Sequence, residues 1–251
     1  MDEMTVKKEN TEMRIEFDKF NSDIFGIVMG NVVGIPDSIR SEDVNNIIYT
    51  AKEKGYQHLN MKVPTASKKA TNILLQSGFR LVDTQLVYRL STKSISCNLL
   101  DNIEYRKFEN KDRLQIGCIA RDAYSLDQFH SDDKLPKHRC DKYYIEWINN
   151  SCDGFADKVM VLSQADTVVG YITVKYKEDN SAVVGLAAIG KSFQRRGYFT
   201  YLIGQTLQML YEERIYYLFY GTQLANEPVL HVMSKYFGIP VFSNHVLHLM
   251  I

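Results

Sequence analysis

The chain has 251 residues, 45% of them hydrophobic, enough for one large domain or two small ones with real cores. Its 30 basic and 30 acidic residues cancel, so no net field draws it to nucleic acid or an anionic membrane, and recognition must be local. The first ten residues carry charge without an apolar core and no run approaches membrane-spanning length, so neither a signal peptide nor a membrane span is expected, and a cytoplasmic location is.

Four cysteines, Cys97, Cys118, Cys140 and Cys152, stand far apart without a Cys-x-x-Cys, which reads as reduced thiols. The cluster His130, Asp132, Asp133, His138 and Cys140 lacks regular ligand spacing and reads as a polar loop rather than a metal site. His245 and His248 lie three apart on an expected strand, on opposite faces, and cannot share an ion. No metal is expected.

In the first half, Val44, Ile47, Ile48 and Ala51 mark one face of a helix that starts through Ser41 and Glu42. The run Arg80 to Leu90 closes this half as a strand, and the polar stretch Ser91 to Asn98 reads as a linker. The expected domains are therefore 1–92 and 99–251. A shift of 160 residues lays Gly30 on Gly190, Tyr56 on Tyr216 and Gly78 on Gly238 without a gap, and both halves then read strand, turn, helix, strand, helix, strand. We read this as an internal duplication.

The second half opens with an alternating strand, Ile103 to Phe108, and a helix capped by Asp112. The polar segment Ser125 to His138 carries Phe129, His130 and Asp132 and reads as an acceptor-binding loop. Asp141 is expected to cap the next helix, on which Tyr144, Trp147 and Ile148 share a core face. Val159–Leu162 and Val168–Val174 form an antiparallel pair that leads into the apolar strand Val183–Ile189, closed by Gly190.

Next comes the turn Gln194-Arg195-Arg196-Gly197-Tyr198-Phe199, and Phe199, Leu202, Ile203, Thr206, Leu207 and Leu210 continue it as an amphipathic helix. Unpaired amides and the positive dipole end make such a strand-to-helix junction a seat for phosphate or pyrophosphate. Gly197 lets a ligand approach the backbone closely. There is no Gly-Lys-Ser/Thr and only one glycine, which excludes a Walker loop and the dinucleotide fingerprint. The first half offers Gly34-Ile35-Pro36-Asp37-Ser38-Ile39-Arg40 at this place, where a proline and an aspartate oppose an anion seat. A strand Tyr216–Tyr220, a helix from Asn226 to about Tyr236 and a last strand complete the chain.

Gln194 and Gly197 resemble the acetyl-CoA pyrophosphate loop of the GNAT superfamily, with Phe199 in place of the usual small residue. The element order of the second half is also that of this superfamily, an α/β (α+β) fold with a central mixed sheet flanked by helices. Asp141 to Ser151, Gly154 to Asp157, Thr222 to Asn226 and Phe129 to Asp132 are similar to the TDP-fucosamine acetyltransferase family. Phe17-Asp18 and Phe25-Gly26 resemble its amino-terminal partial GNAT unit.

The resemblance implies transfer of an acetyl group from acetyl-CoA to the amino group of a TDP-linked amino-deoxy sugar. It assigns pantetheine and the acetyl oxygen to backbone groups of Leu186, Ala187, Ala188 and Ile189. Arg195, Arg196, Gly197, Tyr198, Phe199 and Thr200 fall to the pyrophosphate and Asn226 to the CoA arm; Gln194 is counted in the same cofactor site, and Phe129, His130 and Asp132 of the polar loop are the expected acceptor residues. The family's acidic tyrosine would fall on Met233 or Ser234. Tyr236, one turn further, is the catalytic candidate beside its reading as a packing aromatic, with His231 and Tyr220 more remote. Alternatives are another small amine or a protein amine as acceptor, or acetyl-CoA binding without turnover; a homodimer is compatible with the sequence.

Overall fold

The computed structural model describes residues 13–36, 38–93 and 100–251, so Asp37 and most of the expected linker lie outside the described residues. Two compact units result: the chain up to Thr84 together with Asn244–Ile251, and Gln85–Ser243. The expected boundary near 92–99 differs from this division at both ends of the second unit. Strand pairing marks both ends, since Gln85–Ser91 pair with β9 and Asn244–Met250 pair with β3.

The first unit contains β1 (Arg14–Phe17), α1 (Lys19–Phe25), β2 (Met29–Val33), α2 (Ser41–Glu53), β3 (His58–Pro64), α3 (Lys68–Gln76) and the start of β4 (Arg80–Ser91). β1 runs antiparallel to β2, β2 parallel to β3, and β3 antiparallel to Asn244–Met250, the tail of β10 (Ile239–Met250). Asp18 explains the Phe17-Asp18 signature, since its carboxylate accepts the Asn21 amide at 3.0 Å and starts α1. Gly26, at φ 71°, ends the same helix in a conformation open to glycine. The core joins Val44, Ile47 and Ala51 of α2 to Leu59, Met61, Leu74, Phe79 and Leu247, so the expected helix face is the buried one.

The second unit contains the rest of β4, then β5 (Glu104–Lys107), α4 (Arg113–Ala123), α5 (Lys137–Asn150), β6 (Lys158–Gln164), β7 (Thr167–Tyr176), β8 (Ser181–Ile189), α6 (Tyr198–Glu212), β9 (Tyr217–Gln223), α7 (Glu227–Lys235) and the start of β10. Its strands follow the order β4-β9-β8-β7-β6-β5, antiparallel throughout except for β8 and β9. Leu202, Ile203, Leu207 and Leu210 of α6 are fully buried against β-strand residues such as Ile172, Val174 and Leu218. Each such leucine or isoleucine contributes about 1.5–3 kcal/mol of apolar burial.

Two sequence expectations shift. α5 begins at Lys137, directly after Pro136, so Asp141 is a residue of the helix interior and not its cap. In the repeat, β3, α3 and β4 have the same lengths of 7, 9 and 12 residues as β9, α7 and β10. Their starts at His58, Lys68 and Arg80 match Tyr217, Glu227 and Ile239, one residue out of the expected register. Gly30 therefore lies within β2 whereas Gly190 follows the end of β8.

Candidate active site

β8 and β9 are parallel neighbours for only three residue pairs, Ser181–Val183 with Tyr217–Phe219. β9 stays bonded to β4 through Gln223, and β8 stays bonded to β7 through Ile189. The ladder between them thus ends while both strands continue, and their carboxyl ends lead into α6 and α7. Ligands of open α/β sheets bind outside such strand ends.

β8 carries a bulge at this point. Its register against β7 shifts between Ile172 and Val174, and the Leu186 amide donates to Thr173 Oγ1 at 2.8 Å instead of to the strand. Gly185 is required here, because a Cβ on it would lie 2.8 Å from the same hydroxyl oxygen. Gly190 N donates to Val169 O at 2.8 Å, so by alternation Ala187 and Ile189 turn their backbone groups the other way, towards the β9 side. There Ala187 O accepts the Tyr124 hydroxyl at 3.2 Å, and Ile189 O accepts Gln194 Nε2 at 3.3 Å.

A short 3-10 turn, Lys191–Phe193, separates β8 from the basic turn. Arg195 and Gly197 both have left-handed backbones, φ 63° and 80°. For arginine this costs about 1–2 kcal/mol, and strain of this kind gathers at ligand clamps. A Cβ at Gly197 would meet no atom within 4 Å, so the ground above it is open. The first α6 bond is Tyr201 N to Gly197 O. No side chain caps the helix and its first turn holds no acidic residue, an arrangement in which the first helix amides can take an anion. Gln194, Arg195 and Arg196 are exposed around them. Phe199 leaves this seat clear: its ring packs edge-on to Tyr220 at 6.3 Å, on the core side of the helix.

Asn226 precedes α7 and its side chain does not cap that helix. Of the two positions matching the family tyrosine, Met233 is fully buried in the core and Ser234 is exposed. The Tyr236 hydroxyl donates to Thr200 O at 2.7 Å, which brings it to the first turn of α6. His231 is exposed, and Tyr220 is buried, with its phenol pushed well above its usual range by burial.

The acceptor-loop residues are inward-facing. Phe129 is 1% exposed and packs against the Tyr143 ring at 4.6 Å. Asp132 is buried too and accepts the Lys134 amide at 3.0 Å. His130 lies between two carboxylates, Nδ1 at 2.5 Å from Asp127 and Nε2 at 3.0 Å from Asp141. Burial opposes its imidazolium, but the hydrogen bonds to Asp127 and Asp141 outweigh this and raise its pKa. Burial likewise opposes the Asp127 carboxylate, and His130 together with the Phe129 and His130 amides prevails and lowers its pKa. Thr173, Tyr124 and Asp127 are the residues that sequence reasoning passed over. Only the three-residue spacing of Asp127 and His130 offered any local signal.

Residues 122–239 match the Acetyltransferase (GNAT) family. Over 95% of its length the chain superposes on a GCN5-related N-acetyltransferase from Sphaerobacter thermophilus, with TM-score 0.69, 9% identity and 76% of that chain covered. The fold is the GNAT acetyltransferase fold. The glucosamine N-acetyltransferase region of a fungal multi-domain GH3 β-N-acetylglucosaminidase is similar as well, at TM-score 0.67 and 10% identity, covering 94% of this chain and 31% of that one. In sequence, 127 residues are 22% identical to the spore coat polysaccharide biosynthesis protein SpsD of Bacillus subtilis (strain 168). That match spans 51% of this chain and 44% of SpsD. The GNAT fold supports an acetyl-CoA-dependent acyltransferase activity, and acetyl-CoA binding is typical of it. The divided strands, the open helix start and the free ground above Gly197 fit that co-substrate. Among the described residues, no helix is long and apolar enough to cross a membrane.

Proposed function

We propose that the protein transfers an acetyl group from acetyl-CoA to a primary amine, and that the amine belongs to a nucleotide-linked amino-deoxy sugar. The observation that carries the reading is the α6 start, uncapped, free of acid and flanked by Arg195 and Arg196, at the end of a strand whose parallel ladder has stopped. Backbone amides of Tyr198 to Thr200 take the pyrophosphate, and the β8 backbone from Leu186 to Ile189 aligns the pantetheine arm and the acetyl oxygen. Asn226 takes the CoA arm, and Tyr236, already at Thr200 O, is the candidate thiolate acid. Residues 1–92 act as a partial GNAT-like unit and 99–251 as the catalytic one.

The sugar acceptor is supported by the polysaccharide role in the name of SpsD and by the glucosamine in that of the fungal region. Holding amine and thioester together supplies most of what acyl transfer needs, since proximity alone is worth about 7–11 kcal/mol of barrier. The test is release of CoA thiol from acetyl-CoA with a panel of TDP-amino sugars beside simple polyamines. Turnover confined to a 4-amino sugar is the expected result. Turnover on polyamines alone would overturn the sugar acceptor, and acetyl-CoA binding with no thiol release from any amine would overturn the enzyme reading.

A further inference from the structure

Tyr124 follows α4, and three contacts fix its phenol. The hydroxyl donates to Ala187 O at 3.2 Å and stands 3.3 Å from the hydroxyl of Tyr171, while the ring stacks on Tyr144 at 4.1 Å and 14°. The Tyr144 ring lies stacked 6.0 Å from the His130 ring, Asp127 holds His130, and His130 reaches Asp141. Lys137, 2.8 Å from Asp141, closes the row at the surface. A supported row of polar and aromatic side chains thus runs from the exposed first turn of α5 to one carbonyl in the middle of β8.

That carbonyl is within reach of a side chain because the parallel ladder stops at Val183 and no β9 amide pairs with Ala187. A tyrosine hydroxyl in its place is a directed, part-buried donor, which is the requirement for stabilising charge that develops on a reacting oxygen.

We propose that the Tyr124 hydroxyl is a catalytic hydrogen-bond donor, which leaves Ala187 O for the thioester carbonyl oxygen as that oxygen gains negative charge. Tyr144, Asp127, His130 and Asp141 are positioning residues for it. This rests on the reading of β8 as the acetyl-binding strand. In the transfer the amine lone pair forms the C–N bond and the C–S pair departs with sulfur. One proton passes from nitrogen to water and one reaches sulfur from Tyr236, which solvent reprotonates, and Tyr124 keeps its own. Burial holds the phenols of Tyr124 and Tyr171 far above the usual 10. A thiolate of ordinary pKa, about 8.5, is too weak a base to deprotonate such a phenol, so the group acts as a donor at every working pH.

The experiment compares wild type with Tyr124→Phe, which retains the ring and its stack on Tyr144. Loss of a single donor of this kind costs about 100-fold in kcat, with the KM for acetyl-CoA within about threefold and the loss equal from pH 6.5 to 9. Independently of turnover, infrared difference spectra of carbonyl-labelled acetyl-CoA bound to each protein should show the carbonyl stretch at lower frequency in wild type, and the variant should lose that shift. Calorimetric affinity for acetyl-CoA should match in both. An unshifted carbonyl in wild type, an unchanged kcat, or a kcat loss matched by a loss of affinity or of melting temperature would overturn the proposal. So would a loss that grows along one pH limb, which marks proton transfer. If wild type binds no acetyl-CoA, the functional reading falls first; if it binds and the variant behaves identically, only the role of Tyr124 falls.

Discussion

The two strand-to-helix junctions, β2 to α2 and β8 to α6, start from the same supersecondary plan and end in opposite chemistry. At α2 the carboxylate of Asp43 folds back onto the Arg40 amide at 2.9 Å, and the Arg40 guanidinium holds it at 3.1 Å. Those bonds, with the side-chain pair the larger influence, draw the Asp43 pKa down, and Glu42 adds a second acid in the same turn. At α6 there is no acid, no side-chain cap, and two left-handed residues lead in. One helix supplies its own anion. The other leaves that place open, and it is there that the proposed co-substrate seat lies.

The strongest way to break the contrast is to give α6 what α2 has. Thr200 stands at the third position of α6, as Asp43 does in α2. Thr200→Asp should lower acetyl-CoA affinity by about 30-fold, near 2 kcal/mol, while the helix gains a favourable charge at its start. Calorimetric titration reads the first effect and thermal melting the second; undiminished affinity would place the pyrophosphate elsewhere.

Next in size is the β8 bulge. Thr173→Val removes the acceptor of the buried Leu186 amide, at a cost of about 1–3 kcal/mol, visible as a lower denaturation midpoint. Hydrogen exchange at Leu186 should quicken in the same variant.

A pH series tests the His130 cluster. Asp127, Asp141 and, through Asp141, Lys137 are the charged groups that bear on the ring, and Tyr144 stacks near it at 6.0 Å. Because the folded pKa of His130 is raised, its contribution is fully present below the unfolded value of about 6.5. It fades as pH rises through the folded value. The melting-temperature gap between wild type and His130→Asn should therefore be wide near pH 6 and narrow at alkaline pH; a constant gap would deny the imidazolium. The smallest effect is expected from Asp43→Asn, which should lower stability slightly and leave acetyl-CoA affinity untouched.

The fold was legible where period and turn chemistry agree. The apolar run of β8, the spacing of Leu202, Ile203, Leu207 and Leu210, and Gly197 just before the helix each point to one local structure. The proposed anion seat rests on those same residues. The burial of the loop proposed for the acceptor was not legible, because loop residues declare no direction: Phe129 and Asp132 are polar-segment residues in sequence and buried ones in the fold. Tyr124 gave no sign at all, since its role depends on a β8 carbonyl 63 residues away. Composition sets a boundary at 92–99, whereas the pairing of Gln85–Ser91 with β9 and of Asn244–Met250 with β3 is a long-range feature that composition does not carry.

The late position of the β3 partner in the chain bears on synthesis at the ribosome. β3 of the amino-terminal unit takes its antiparallel neighbour from Asn244–Met250, a segment that emerges only after the whole second unit has been made. The amino-terminal unit is thus begun first and finished last. Until then the nascent chain carries a strand edge of the kind that invites wrong pairing, so the long delay favours folding of residues 85–243 as the earlier stable body.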